Sequence, residues 1–173
     1  MKEQTAEWIN LLGRFCGKRD VAELTPEQLY RKYQIRQADV LVLFGGSILC
    51  GGDVLADAMI QDATMQRRME AGLRKQDADA LIINFAAYQA EVTVRNGEPE
   101  YEKEIWGMWD MDRYITLLMG EIPRLSDAPD GYGPAGKNFI AHVDIPPEVA
   151  EAFSELKKEY GGMVREANPM YAS

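Results

Sequence analysis

Two pairs of glycines mark the part of the chain where a ligand could approach the backbone. The apolar run 40–44 leads directly into Gly45 and Gly46, and a second glycine pair is followed at once by Asp53. A buried strand that ends in a glycine loop before a helix is the entry unit of an open α/β sheet, where backbone N–H groups bind anionic or nucleotide-like ligands. Neither the dinucleotide fingerprint nor the P-loop motif can be read here. The pattern therefore predicts either a ligand-binding loop or only a tight strand-to-helix turn.

The elements around this loop in the first half follow from local patterns. Apolar residues at helical spacing predict a helix over 5–15, ended by Gly17, and a capping pattern predicts a second one from Thr25 to about Tyr33. The long stretch 53–76 contains no proline and predicts one helix. Two strands are predicted further on, a buried one over 81–87 and an edge strand over 91–94 that enters a turn at Asn96-Gly97.

The second half is richer in helices and loops. A helix is predicted over 108–122, closed by Gly120 and Pro123. The following segment 124–136 consists largely of turn-forming residues and is too long for a simple connection, which is typical of functional or disordered loops. Alternating apolar residues over 139–145 predict a strand or extended segment. A last helix begins at the Pro146-Pro147 pair, runs to about residue 158 and is stopped by Gly161-Gly162.

Composition limits the classes of protein that the chain can represent. A length of 173 residues suits one domain, and a net charge of -9 argues against a nucleic-acid partner. No apolar stretch reaches the length of a membrane span, and the N-terminus lacks the apolar core of a signal peptide, so we predict a cytoplasmic protein. Cys16 and Cys50 are expected to be reduced thiols. One histidine and irregularly spaced carboxylates predict no zinc or calcium site.

Several blocks of the chain resemble one family. Residues 109–125, 130–134 and 139–144 resemble the C-terminal part of YdcF proteins, which belong to the ElyC/SanA/YdcF superfamily, formerly a domain of unknown function. The segments 12–20 and 38–44, together with the loop that holds Asp53, are similar to the first βα unit of that family. The stretch 61–68 is similar to a further family motif. The blocks occur in the family's order along the chain.

The resemblance implies a single domain over residues 1–173 with a Rossmann-like parallel sheet. Residues 1–59 form its first βα unit with N-terminal helices, residues 60–104 hold the later motif and strands, and residues 105–173 form a loop-rich helical extension. A block that the family carries is absent between Met59 and Ile60, so the α/β sheet is expected to be truncated. A natural deletion, a gene-model error and deliberate shortening would give the same sequence.

The resemblance also implies the binding of a small molecule, with S-adenosylmethionine or a nucleotide as the favoured ligand. The residues carried over from the family's motifs are Gly45, Gly46, Asp53, Gln61, Asp62, Thr64, Arg67, Arg68, Tyr132 and His142. In this interpretation Asp53 or Asp62 holds a ribose hydroxyl pair or an ammonium group. Arg67 or Arg68 holds a carboxylate or phosphate.

Other interpretations stay open at this stage. The chain is either an enzyme, a transferase or phosphate-ester hydrolase with Asp62 or His142 as base, or an inactive remnant that acts as an interaction module. Asp53 equally suits a helix N-cap. His142 suits either a structural role or acid–base work. For the second, Asp144 would lie on the same strand face and form an acid–base pair with it. A truncated sheet would expose apolar edges, which a homodimer would cover.

Overall fold

The computed structural model of the protein describes residues 3–36, 67, 71, 72, 74, 81–86, 89–105 and 107–163. Four helices and one two-stranded hairpin are the regular elements in these ranges, and their bounds are α1 Glu3–Cys16, α2 Pro26–Tyr33, β1 Val92–Arg95, β2 Glu98–Tyr101, α3 Met111–Leu125 and α4 Pro147–Tyr160. A short 3-10 helix, Gly161–Met163, continues α4. Arg67, Ala71, Gly72 and Arg74 are also helical.

The first two helices confirm the predictions made from spacing and capping. Helix α1 buries Ile9 and Leu12 on its apolar stripe. Helix α2 begins with Pro26 after Thr25, whose side-chain oxygen accepts a hydrogen bond of 3.3 Å from the backbone N–H of Gln28. That bond satisfies one of the N–H groups that a helix leaves unpaired in its first turn.

The hairpin also follows from its local sequence. Strands β1 and β2 are antiparallel, and Arg95 pairs with Glu98 across the two-residue turn. The turn residues Asn96 and Gly97 both have positive φ, at 53° and 84°. This geometry matches the right-handed twist of the strands and is favoured by an Asn-Gly pair, so the predicted edge strand and turn are confirmed.

The predicted Rossmann-like parallel sheet is wrong. Within the ranges given above, the sheet consists of the two antiparallel strands alone. A buried strand is predicted over 81–87, and of this segment the described residues 81–86 form a single antiparallel bridge through Phe85 to Arg19. Leu81 is 53% exposed. A parallel strand needs apolar cover on both faces, whereas this segment is held by polar contacts to residues 18–20. The other predicted strand, residues 40–44, lies outside the described residues.

The core forms where α1, α3 and α4 pack together and α1 also contacts β1. Its largest fully buried side chains are Tyr114, Ile9, Leu12, Ile115, Met119, Leu125, Leu156 and Val149. Helix α3 begins after Asp110, whose Oδ1 accepts a 2.8 Å hydrogen bond from the N–H of Arg113. It continues past the predicted end at Ile122, because burial of Leu125 holds the last turn against the core although Pro123 lies inside it.

The strand or extended segment predicted over 139–145 lacks strand pairing in the structure. Residues 139–145 contain no strand. Ile140 is only 3% exposed. The predicted alternation puts Phe139 and Ala141 together on the other face, but Phe139 is half-buried and Ala141 is exposed. The backbone N–H groups of Phe139 and Ile140 both donate to the carbonyl oxygen of Tyr132, at 2.8 and 3.0 Å. This shared acceptor, and not a neighbouring strand, determines which side chains enter the core.

Candidate functional site

A groove of about 340 Å³ lies on the described part of the chain. It is lined by Lys18, which follows α1, by the helical residues Arg67, Ala71 and Arg74, and by the extended segment 141–144 before α4. We call this feature the basic groove. Its volume falls in the range of about 300–1,000 Å³ that is usual for small-molecule sites.

The charges that line the basic groove differ from those of the chain as a whole. The chain carries a net charge of -9, yet among the described residues the lining contains three cationic side chains and one carboxylate, that of Asp144. Next to the groove, Asp20 Oδ1 lies 3.9 Å from Lys18 Nζ. Lysine and arginine side chains that line one groove offer charge-assisted hydrogen-bond donors to an anionic ligand.

Hydrogen bonds at the end of α1 position Lys18. The backbone N–H of Lys18 donates to the carbonyl of Cys16 at 2.9 Å, and the Lys18 carbonyl accepts from the N–H of Ala86 at 2.9 Å. Two residues on, Asp20 Oδ2 accepts hydrogen bonds from the backbone N–H and the side-chain amide of Asn84, at 2.6 and 3.1 Å. Hydrogen bonds to the end of α1 and to residues 84–86 therefore fix the backbone of the segment that carries Lys18.

His142 lines the groove and is paired with a carboxylate. Its Nδ1 lies 2.7 Å from Oδ2 of Asp127, and its side chain is 66% exposed. An ionised carboxylate can only accept a hydrogen bond, so Nδ1 carries the proton in this pair and the lone pair of a neutral imidazole is on Nε2. The Asp127–His142 pair therefore orients the ring and leaves Nε2 for a ligand.

The loop that carries Asp127 is closed by its own backbone. The N–H of Gly133 donates to the carbonyl of Ser126 at 3.1 Å, and the N–H of Tyr132 donates to the carbonyl of Arg124 at 2.8 Å. A Cβ at Gly133 would lie 1.9 Å from Asp127 Oδ1, so only glycine permits this approach. The backbone hydrogen bonds of the turn-rich segment 124–136 thus fix the position of the Asp127 carboxylate.

The structure brings together two of the residues predicted from the sequence, Arg67 and His142, in the basic groove. Tyr132 lies elsewhere: it is 8% exposed and its ring packs edge-on against Phe139 at 5.2 Å. The other predicted site residues lie outside the described residues, and their roles stay predictions: Gly45, Gly46, Asp53, Gln61, Asp62, Thr64 and Arg68.

Sequence reasoning missed Lys18, Arg74 and Asp127. The partner that it offered for His142, as the alternative to a structural role, was Asp144, because residues two apart share a face of a strand. With no strand at 139–145, the carboxylate that contacts the ring is Asp127, fifteen positions earlier in the chain. Asp127 lies in a loop rich in turn residues, which was the one available signal.

No model of a known protein family matches this chain. The resemblance to YdcF-like proteins therefore stays a prediction. Within the ranges that the structure describes, no set of three or more His, Cys, Asp and Glu side chains is grouped to bind a metal ion. None of the helices in those ranges has the length and apolar character needed to cross a lipid bilayer.

Proposed function

We propose that this protein binds a small molecule through a phosphate or carboxylate group in the basic groove. The observation that carries the proposal is the convergence of Lys18, Arg67 and Arg74 on one groove of a strongly acidic chain. Guanidinium groups form paired, charge-assisted hydrogen bonds with both phosphate and carboxylate oxygens. The groove therefore combines a suitable size with cationic side chains for such a ligand.

The resemblance to YdcF-like proteins supports two specific ligands, a nucleotide and S-adenosylmethionine. A nucleotide carries phosphate and S-adenosylmethionine carries a carboxylate, so each offers the anionic group that the groove suits. The groove volume of about 340 Å³ is at the lower end of the usual range, which favours a compact ligand. AMP is accordingly the first nucleotide to test.

Isothermal titration of the chain with AMP and with S-adenosylmethionine tests the proposal. We expect saturable binding of at least one of them, weakened by added salt because exposed charge pairs are screened. Arg74→Gln should reduce the affinity about tenfold, since a hydrogen bond to a charged group contributes about 1.5–3 kcal/mol and 1.4 kcal/mol is a factor of ten.

Arg31→Gln is the matched control for this change. Arg31 and Arg74 are both exposed helical arginines, and only Arg74 lines the groove. The control should bind as tightly as the unmodified chain. The proposal would be contradicted if neither ligand binds. It would also be contradicted if Arg74→Gln and Arg31→Gln weaken binding equally.

A further inference from the structure

The pairing of His142 with Asp127 gives the basic groove a group that can accept a proton. Asp127 holds Nδ1 at 2.7 Å, so the lone pair of the neutral ring is on Nε2. The carboxylate also stabilises the imidazolium that forms once Nε2 takes a proton. An oriented imidazole of this kind is the commonest general base in enzymes.

The other residues of the groove indicate which reaction such a base would serve. Lys18, Arg67 and Arg74 line the same groove as His142. In phosphoryl transfer, negative charge spreads over the oxygens of the transferred group, and fixed cations stabilise it. A base beside a cluster of cations therefore suits attack by water on a phosphate ester better than a reaction that forms no anionic centre.

We propose that His142 is the general base for hydrolysis of a phosphate monoester held in the basic groove, with Asp127 as its positioning residue. The inference rests on the proposed function and names its substrate class. Nε2 takes a proton from a water molecule, and the water oxygen forms a bond to phosphorus as the ester P–O bond breaks. The leaving oxygen takes a proton from solvent. The products are an alcohol and inorganic phosphate, and the imidazolium returns its proton to solvent.

Release of inorganic phosphate from p-nitrophenyl phosphate and from AMP by the full chain tests this inference. His142→Gly should lower kcat about 100-fold or more, the usual contribution of a general base. Free imidazole should restore part of that rate, because the ring is 66% exposed and its site is open. His142→Asn provides a second variant of similar shape should the glycine variant fail to fold.

Asp127→Asn distinguishes positioning from a merely structural role. A misplacement of about 1 Å in a catalytic group can cost about 100-fold in rate, so we expect a large fall in kcat with an unchanged KM. The matched control is Asp130→Asn, which removes an exposed carboxylate of the same loop outside the groove. It should leave both parameters unchanged.

The possible failures of the two proposals are distinguishable. Binding of AMP or S-adenosylmethionine without release of phosphate from either ester would overturn the base role and leave the binding proposal standing. The same holds if His142→Gly hydrolyses the esters at the unmodified rate, or if a phosphoryl group becomes covalently attached to the protein during turnover. The binding proposal itself is overturned if neither ligand binds, or if Arg74→Gln and Arg31→Gln weaken binding equally.

Discussion

The side-chain amide of Asn10 forms the two hydrogen bonds of a strand partner with the backbone of Val92. Its Oδ1 accepts from the Val92 N–H at 2.6 Å, and its Nδ2 donates to the Val92 carbonyl at 2.8 Å. Asn10 belongs to α1 and Val92 is the first residue of β1. The amide therefore joins helix and hairpin and satisfies backbone groups that an edge strand would leave unpaired.

Replacement of Asn10 should lower the stability of the fold, because it removes the hydrogen bonds between α1 and β1. We expect Asn10→Ala to lower the free energy of unfolding by about 1–3 kcal/mol, because two partly buried backbone groups lose their partner. Gln4→Ala is the control: Gln4 lies on the same helix and forms an exposed hydrogen bond to Glu7, so its loss should cost less than about 0.5 kcal/mol. Urea unfolding measures both, and equal midpoints would contradict the account.

A methyl group at Gly133 should displace the Asp127 carboxylate. A Cβ at this position would lie 1.9 Å from Asp127 Oδ1 and 3.0 Å from the carbonyl oxygen of Ser126. We expect Gly133→Ala to cost about 1–3 kcal/mol of stability and to shift the NMR signals of His142, the single histidine of the chain. Gly162→Ala, which would meet no atom within 4 Å, should do neither. Unchanged histidine signals in the Gly133 variant would contradict the pairing.

Two tyrosines whose rings are in contact should differ in how loss of the hydroxyl group changes the free energy of unfolding. The rings of Tyr101 and Tyr114 lie 5.7 Å apart. The Tyr101 hydroxyl donates to the carbonyl of Trp109 at 3.0 Å, whereas the buried Tyr114 hydroxyl has no hydrogen-bond partner among the described residues. Tyr101→Phe should therefore cost about 1 kcal/mol, and Tyr114→Phe should leave the free energy of unfolding unchanged or raise it by about 1 kcal/mol. Equal destabilisation in thermal unfolding would show that Tyr114 does have a partner.

The fold should lose stability in alkaline solution. Burial raises the pKa of Tyr101 and of Tyr114 above the ordinary value, and burial together with Glu159 raises the pKa of Tyr160 to about 12. An unfolded tyrosine releases its proton near pH 10, so above that pH the unfolded chain binds fewer protons than the folded one. The free energy of unfolding should therefore be steady below about pH 10 and fall as the pH rises through the folded values.

Urea unfolding at a series of pH values between about 8 and 11 checks this dependence. Tyrosinate absorbance, followed in parallel, should increase later in the folded protein than in the unfolded one. Tyr160→Phe should make the alkaline decline of stability less steep. A midpoint that does not change above about pH 10 would be inconsistent with the raised pKa values.

The elements predicted from sequence are those whose signals lie within a few neighbouring residues. Thr25, Pro26 and Gln28 define the start of α2 by direct capping contacts, and Asn96-Gly97 defines the hairpin by its backbone conformation. Such signals need no knowledge of distant packing. The same is true of the apolar stripe of α1.

The predictions that were wrong depended on distant partners. The apolar run at 81–86 resembles a buried strand, but its backbone pairs with residues 18–20 through one bridge. The alternation at 139–145 gave no indication that two N–H groups would share the Tyr132 carbonyl. The sequence around Lys18 and Arg74 contains no motif that indicates a function. The tertiary structure shows that both residues line the same groove as His142.

Titration of the chain with AMP and with S-adenosylmethionine, followed through the NMR signals of the His142 ring, is the most direct test of a ligand site in the basic groove. The signals are unambiguous because the chain contains one histidine, and His142 lines the groove. We predict a saturable shift of the ring signals with at least one ligand, and a weaker response for Arg74→Gln than for Arg31→Gln. Binding detected by calorimetry while the His142 signals stay unchanged would place the ligand elsewhere and contradict the central claim.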